Sequence, residues 1–176
     1  MVAASVYMIV FRAFHILAGV VWGGGVALLV LYLQPSAKAI GPAAGPFMQE
    51  LVAKRRLPNF LLAAGAVTIV AGGFVYWHDW DAFGSFGDFA GSAFGTALTV
   101  GAILAIVAWF IGLLGVKPAT NRAMALAGRL ASAGGPPAPE QMAELQALQL
   151  RARRMAIAVL VLLVLAVFAM ASARSW

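Results

Sequence analysis

Cysteine is absent from this 176-residue chain, and only 10% of its residues are charged. Without cysteine there can be no disulfide and no thiolate metal site, so any metal must be held by histidine, methionine or carboxylate. Because 63% of the residues are hydrophobic, a soluble domain of this length would have too little interior to bury them. The composition therefore excludes an ordinary soluble globule and predicts a protein whose solvent is the lipid bilayer.

Acidic residues are half as frequent as basic ones, which leaves a net charge of +6. In a soluble protein this charge would indicate nucleic-acid binding, but in a membrane protein the positive-inside rule accounts for it, and no nucleic-acid partner is expected. The N-terminal stretch MVAASVYMIVFRAFHILAG has no basic residue before its apolar run and no A-x-A site at the right distance after it. It is predicted to be a retained helix rather than a cleaved signal peptide.

Four apolar stretches are long enough to cross a bilayer, which takes about 20 helical residues each. They lie at about 5–33, 58–78, 94–116 and 155–173. We therefore predict an all-α fold, in which residues 1–176 form a single polytopic membrane domain with a four-helix bundle.

The connecting loops differ in charge, and this difference predicts an orientation. Ten of the twelve Lys and Arg residues lie in loops 34–57 and 117–154, whereas the acidic loop WHDWDAFGSFGDFAGS has none. Because Lys and Arg accumulate on the cytoplasmic side, both basic loops are predicted in the cytoplasm. The acidic loop and both termini then face outward from the cytoplasmic (inner) membrane.

Two pairs of segments suggest an internal duplication. LYLQPSAKAIG (31–41) resembles LGVKPATNRAM (114–124), and MQELVAKRR (48–56) resembles MAELQALQLRARR (142–154). Each copy would contribute one helical hairpin, and two crossings per copy give both hairpins the same orientation. The bundle is therefore predicted to consist of two similar hairpins.

Ionisable residues inside the first span mark a candidate site, because such residues are costly in a bilayer. In FRAFHILAGVVWGGG, Arg12 and His15 are neighbours on one helix face, and Gly19 and Gly23 continue that face at i+4 and i+8 from the histidine. Two interpretations remain open. The glycines either form a helix-packing seam across which His15 hydrogen-bonds, or they leave room for a flat ring beside it.

A second histidine, His78, lies in FVYWHDWDAF at the outer end of the second span, and Met170 is expected at the same level. Three chemistries could use this outer layer. His15 and His78 could be axial ligands of a b-type haem, with Arg12 or Arg174 pairing with its propionates. The two histidines with Met170 could instead hold copper. Alternatively, Arg12 and the aspartates form ion pairs that pin the outer loop to the bundle.

The first helix also resembles a known group. A histidine after an aromatic residue, with a tryptophan seven residues later, resembles the opening helix of four-helix bacterial membrane proteins that comprise the copper-resistance-D-like proteins and the HemJ-type protoporphyrinogen oxidases. FMQELVAKRRLPNFLLAAGAVTIVAGG is similar to the HemJ second-helix entry, so the resemblance covers about the first 80 residues. It implies a haem b site at His15. The HemJ type also has a lysine early in its third helix, and residues 92–110 here contain none.

These observations predict a membrane protein that binds a redox cofactor near the outer face, with b-type haem favoured. Such a protein would pass electrons to or from a quinone or a partner subunit. One alternative is a non-catalytic accessory subunit of a larger membrane complex, and another is copper handling. The expected partners are the lipid bilayer and either other membrane subunits or further copies of this chain. Hydrolase and transporter signatures are absent from the sequence, which leaves open whether the chain is an enzyme.

Overall fold

The computed structural model describes residues 6–133 and 135–173, which form helices joined by short turns, with no strand among them. The first half of the chain contains α1 (Val6–Leu28), a π segment (Leu29–Leu33), α2 (Gln34–Ile40), a 3-10 turn (Gly41–Ala44), α3 (Gly45–Gln49), a second π segment (Glu50–Lys54) and α4 (Leu57–Asp81). The second half contains α5 (Phe86–Gly91), α6 (Ala93–Ile111), a third π segment (Gly112–Val116), α7 (Lys117–Ser132) and α8 (Pro139–Ser172).

Within the described residues, four helical stretches are long and apolar enough to cross a membrane: Val6–Lys54, Leu57–Asp81, Ala93–Ser132 and Pro139–Ser172. The all-α prediction with four apolar helices is confirmed, and each predicted span falls in one stretch apart from its end residues 5 and 173. Residue 5 lies outside the described residues, and the fourth stretch ends one residue before 173. The helices run past the predicted spans because hydropathy registers only their apolar parts. At most 28% of each stretch's most apolar window is buried, so most of the apolar surface faces outward.

Two of the π segments have the same local cause. Each ends directly before a residue that precedes a proline, Gln34 before Pro35 and Lys117 before Pro118. The backbone N–H of Gln34 donates to Leu29, and that of Lys117 to Gly112, five residues back in each case. A proline ring clashes with the carbonyl four residues earlier in an α-helix, and the wider π turn relieves this clash without ending the helix.

The bundle is organised around two antiparallel helix pairs. α1 packs mainly along α4, and α6 mainly along α8, while α4 also touches α6 and α8 also touches α1. All four helices meet in one apolar core that contains Trp22, Leu61, Ala108, Val159 and Leu163.

The loop between α4 and α6 is anchored by aromatic side chains. Phe89 is fully buried and makes edge-on contacts with Tyr76, Phe83 and Phe94. A Cβ atom at Gly95 would collide with the carbonyl oxygen of Phe89, so only glycine permits this close backbone approach. The aromatic cluster fixes α5 over the end of the bundle where Arg12 and His78 lie.

Candidate functional site

His15 lies in the seam between α1 and α4, against the backbone of α4. Its Nδ1 atom is 2.8 Å from the carbonyl oxygen of Thr68, and a Cβ atom at Gly72 would lie 2.7 Å from Nδ1. Because a carbonyl oxygen only accepts, Nδ1 carries the proton and donates it. Among the described residues, Nε2 has no hydrogen-bond partner, and it is not among the fully enclosed polar atoms.

The seam follows a spacing of three and four residues along α1. A Cβ atom at Gly19 would lie 3.5 Å from the Thr68 methyl group, and one at Gly65 would lie 2.8 Å from the Trp22 ring. Gly23, by contrast, would find no neighbour within 4 Å. Gly23 lies two steps of four residues after His15. Because a helix has 3.6 residues per turn, two such steps do not return to the same face, so Gly23 points away from the seam. Gly19 thus lies in the seam as predicted, and Trp22 takes the place predicted for Gly23.

Arg12, Asp79 and His78 form a charged cluster above the seam. The Arg12 guanidinium is 3.6 Å from the Asp79 carboxylate, and Nδ1 of His78 is 3.6 Å from the same oxygen. The side chains of Arg12 and His78 are each 45% exposed, and that of Asp79 is 20% exposed. The cluster therefore links the start of α1 to the end of α4 at the protein surface.

The structure does not bring the two histidines together. His15 is level with Thr68 and Gly72, and His78 lies about 9 Å beyond Gly72 along α4, at 1.5 Å per residue. Asp79 faces α1, and the preceding residue points about 100° away from it around the helix. The His78 ring therefore lies at a different depth and on a different face, which does not suit two axial ligands of one haem.

Met170 belongs to the other helix pair. Its side chain packs against α6, where a Cβ atom at Gly101 would lie 2.6 Å from Cγ of Met170. In residues 6–133 and 135–173, no three His, Asp or Glu side chains converge on a point that could hold a metal. The predicted copper ligands thus contact different helices. Arg174, the other candidate propionate partner, lies outside the described residues.

Other polar contacts between helices were not anticipated from the sequence. The Trp109 indole donates to the carbonyl oxygen of Leu62 at 2.9 Å, and the Tyr76 hydroxyl lies 2.7 Å from the Thr99 hydroxyl. With His15 and Arg12, they make α4 a partner in every polar side-chain contact between the long helices α1, α4, α6 and α8 in the described part of the chain. A tryptophan or tyrosine inside a span is the signal that could have revealed them, because its polar atom needs a partner.

The described residues form two cavities near the bundle surface and core, and neither is lined by a histidine. An open groove of about 330 Å³ lies on the outside of the α1/α4 pair, between apolar residues such as Ala18, Ala64 and Val67. A partly open pocket of about 100 Å³ lies near the predicted cytoplasmic end of the bundle, where its lining includes Gln34 and Lys117. Neither of these two polar residues is marked as a site residue by the sequence.

Comparison with protein-family models, with characterised proteins and with solved structures finds no match for this chain. The resemblance to the copper-resistance-D-like and HemJ-type proteins therefore stays a prediction.

Proposed function

We propose that this protein is an integral membrane protein that serves as a non-catalytic subunit of a larger membrane complex. The observation that supports this function is the use of its polar side chains. His15, Tyr76, Trp109 and Arg12 all contact another helix of the bundle. Such contacts hold helices together in lipid, where burying apolar side chains contributes little to association.

The proposal includes two similar hairpins in the cytoplasmic (inner) membrane, with both termini outside. Its support is the shared π turn before a proline, which leads from α1 into α2 and from α6 into α7. The basic loops, 34–57 and 117–154, would then lie in the cytoplasm and the α4–α6 loop outside.

Insertion and orientation can be tested by cysteine labelling, because the native chain has no cysteine. Ala82 and Ala131 are both exposed, one in the α4–α6 loop and one in α7. We expect a membrane-impermeant maleimide to label Ala82→Cys in intact spheroplasts, and to label Ala131→Cys only after permeabilisation. The reverse pattern would overturn the orientation, and labelling of both variants in intact spheroplasts would overturn insertion with these two segments on opposite sides.

One observation favours a second function, redox chemistry at a haem held by His15 alone. An imidazole that donates Nδ1–H to a backbone carbonyl, as His15 does to Thr68, is held in the orientation typical of metal-ligating histidines, with Nε2 left for the metal. A bound haem would supply one-electron chemistry, exchanged with a quinone or a partner subunit.

The fit of a haem within this chain is incomplete. Gly72 covers one side of the imidazole, and the nearby groove is open and apolar. A haem at His15 would therefore need another chain to form the rest of its pocket. The position of His78 does not support a second axial ligand, and the packing of Met170 does not support a shared copper site.

Absorbance spectra of the protein, purified in mild detergent together with the chains that co-purify, separate the two functions. A colourless preparation with no stoichiometric metal is expected for the non-catalytic subunit. A Soret band that shifts on dithionite reduction, is lost in His15→Ala and persists in His78→Ala would overturn that function in favour of single-histidine haem. Loss of the band in both variants would point instead to ligation by both histidines.

A further inference from the structure

Three exposed arginines lie directly before the apolar part of α8. Arg151, Arg153 and Arg154 have no carboxylate partner among the described residues. The nearest acidic residue before them on this helix is Glu144, about 10 Å from Arg151 along the axis at 1.5 Å per residue. Because like charges three residues apart repel each other on a helix, this turn of α8 favours a negatively charged neighbour.

The similar stretch of the first basic loop balances most of its own charge. In MQELVAKRR (48–56), the Glu50 carboxylate is 3.0 Å from the Lys54 ammonium and 3.1 Å from the Arg55 guanidinium. The π segment Glu50–Lys54 makes this possible, because it also brings the backbone N–H of Arg55 back to the carbonyl oxygen of Glu50. Two of the three basic residues in this stretch are thus paired within the chain, whereas α8 supplies no such partner.

The outward face of α8 changes from charged to apolar at Arg154. Ile157 and Val161 follow at three and seven residues, a spacing that keeps one helix face, and they are 39% and 51% exposed. Ala152 and Ala156 lie on the buried face toward the bundle. In a bilayer the exposed apolar face would contact acyl chains. Arg154 lies about 4.5 Å before Ile157 along the helix, which is the depth of the lipid head groups.

The other two arginines widen the charged surface around the same turn. Successive residues on an α-helix point about 100° apart, so Arg153 and Arg151 point about 100° and 60° to either side of Arg154. Each guanidinium presents a planar fork of N–H donors that matches the oxygens of a phosphate. A phosphate beside Arg154 can therefore accept hydrogen bonds from both sides.

We propose that these three arginines bind the head group of a phospholipid with net negative charge, whose acyl chains lie along Ile157 and Val161. An anionic head group supplies the missing counter-charge, whereas a zwitterionic one carries its own ammonium. Basic residues at the cytoplasmic end of a membrane helix attract anionic lipids. An acidic segment of a partner protein could neutralise the arginines, but outside the bilayer it would not cover the apolar face that continues from Arg154. The inference rests on the membrane insertion proposed above.

Lipid quenching of a fluorophore beside the arginines tests this site. Ala158 is exposed and lies four residues after Arg154, and Ala158→Cys provides the single thiol for a bimane label in a chain without cysteine. The labelled protein is reconstituted in phosphatidylcholine with rising fractions of dibrominated phosphatidylglycerol or dibrominated phosphatidylcholine. We expect phosphatidylglycerol to bind beside the label at least fivefold more tightly. Equal affinities would leave an acidic partner protein as the counter-charge and would overturn the proposal.

Two double variants of the labelled protein show whether the preference belongs to the α8 arginines. Arg153→Gln with Arg154→Gln should reduce it to less than twofold. Lys54→Gln with Arg55→Gln removes the same number of positive charges from residues that pair with Glu50, and it should keep the preference. Equal losses in the two variants would show a response to net charge alone, which overturns the site.

The same measurement separates failure of this site from failure of insertion. Quenching by both brominated lipids without preference would overturn the lipid site and leave α8 in the membrane. Quenching by neither lipid would mean that position 158 does not contact acyl chains, which overturns the insertion of α8 together with the site.

Discussion

The α1/α4 pair and the α6/α8 pair solve the same packing problem with different chemistry. Between α1 and α4, His15 bonds to the Thr68 carbonyl and Arg12 pairs with Asp79. Between α6 and α8 the close contacts are apolar, such as that of Met170 with Gly101. Among the described residues, no polar side-chain contact joins α6 to α8.

This difference shows which helix defines the bundle. In lipid, helices associate through close packing of small residues and through polar contacts. The α6/α8 pair uses the first device alone, as in Met170 on Gly101, and Met155 of α8 packs in the same way on Gly115 in the π segment that follows α6. The α1/α4 pair uses both, and α4 also carries the polar contacts to α6. We infer that α4 fixes the positions of its two neighbours, whereas α8 can tolerate more repacking.

The largest predicted effect tests α4 at the point where it touches two helices. A Cβ atom at Gly65 would lie 2.8 Å from the Trp22 ring of α1 and 2.8 Å from the Trp109 ring of α6. Gly65→Leu must therefore displace two large rings, and we expect a loss of about 3 kcal/mol, at the upper end of overpacking costs. Unfolding by SDS titration in mixed micelles measures it.

Gly73→Leu is the matched control, because a Cβ atom at Gly73 would meet nothing within 4 Å. It lies on the same helix and carries the same change in helix propensity, so it should leave stability within about 0.5 kcal/mol of the unchanged protein. Equal losses in the two variants would contradict the role of α4 as the shared packing surface.

A smaller effect is predicted for the polar contact that distinguishes the pairs. His15→Leu removes the hydrogen bond to Thr68, and bonds of this kind between membrane helices contribute about 0.6 kcal/mol on average and about 1.7 at most. His15→Gln keeps an N–H donor and should recover part of the loss. Met170→Leu conserves volume in the apolar pair and should cost less than about 1.5 kcal/mol. Full stability of His15→Leu would show that the two pairs do not differ in the way proposed.

The sequence predicted the helical class and the four apolar helices because these depend on composition and run length alone. It also indicated that segments 31–41 and 114–124, which contain Pro35 and Pro118, are alike, but not that a π turn precedes each proline. It did not predict which residues of α1 face α4. Two steps of four residues lead from His15 to Gly23, whereas a step of four and a step of three lead to Trp22, and these two positions lie on different faces of the helix. Gly23 therefore seemed to share a face with His15 from the sequence, and the structure places Trp22 there instead.

The candidate site was less predictable for a related reason. His15 and His78 were expected at similar depth, but depth along α4 depends on the register between two helices, which apolar runs do not specify. Gln34 attracted no attention because a glutamine near a span end is ordinary. Only the packing of α1, α4, α6 and α8 around it reveals that its Oε1 atom is enclosed without a partner.

The smallest predicted effect concerns the ion pair between the start of α1 and the end of α4. Arg12 and Asp79 are 3.6 Å apart, and the arginine side chain is 45% exposed, so water and salt weaken their attraction. A double-mutant cycle with Arg12→Gln and Asp79→Asn should give a coupling below about 1 kcal/mol, and it should shrink further in 0.5 M salt. A larger coupling that is insensitive to salt would mean that the pair lies in lipid rather than at the membrane surface. The outer boundary of the bilayer would then lie farther from the centre of the bundle than Asp79, and the charged cluster would hold α1 against α4 more strongly than the seam below it.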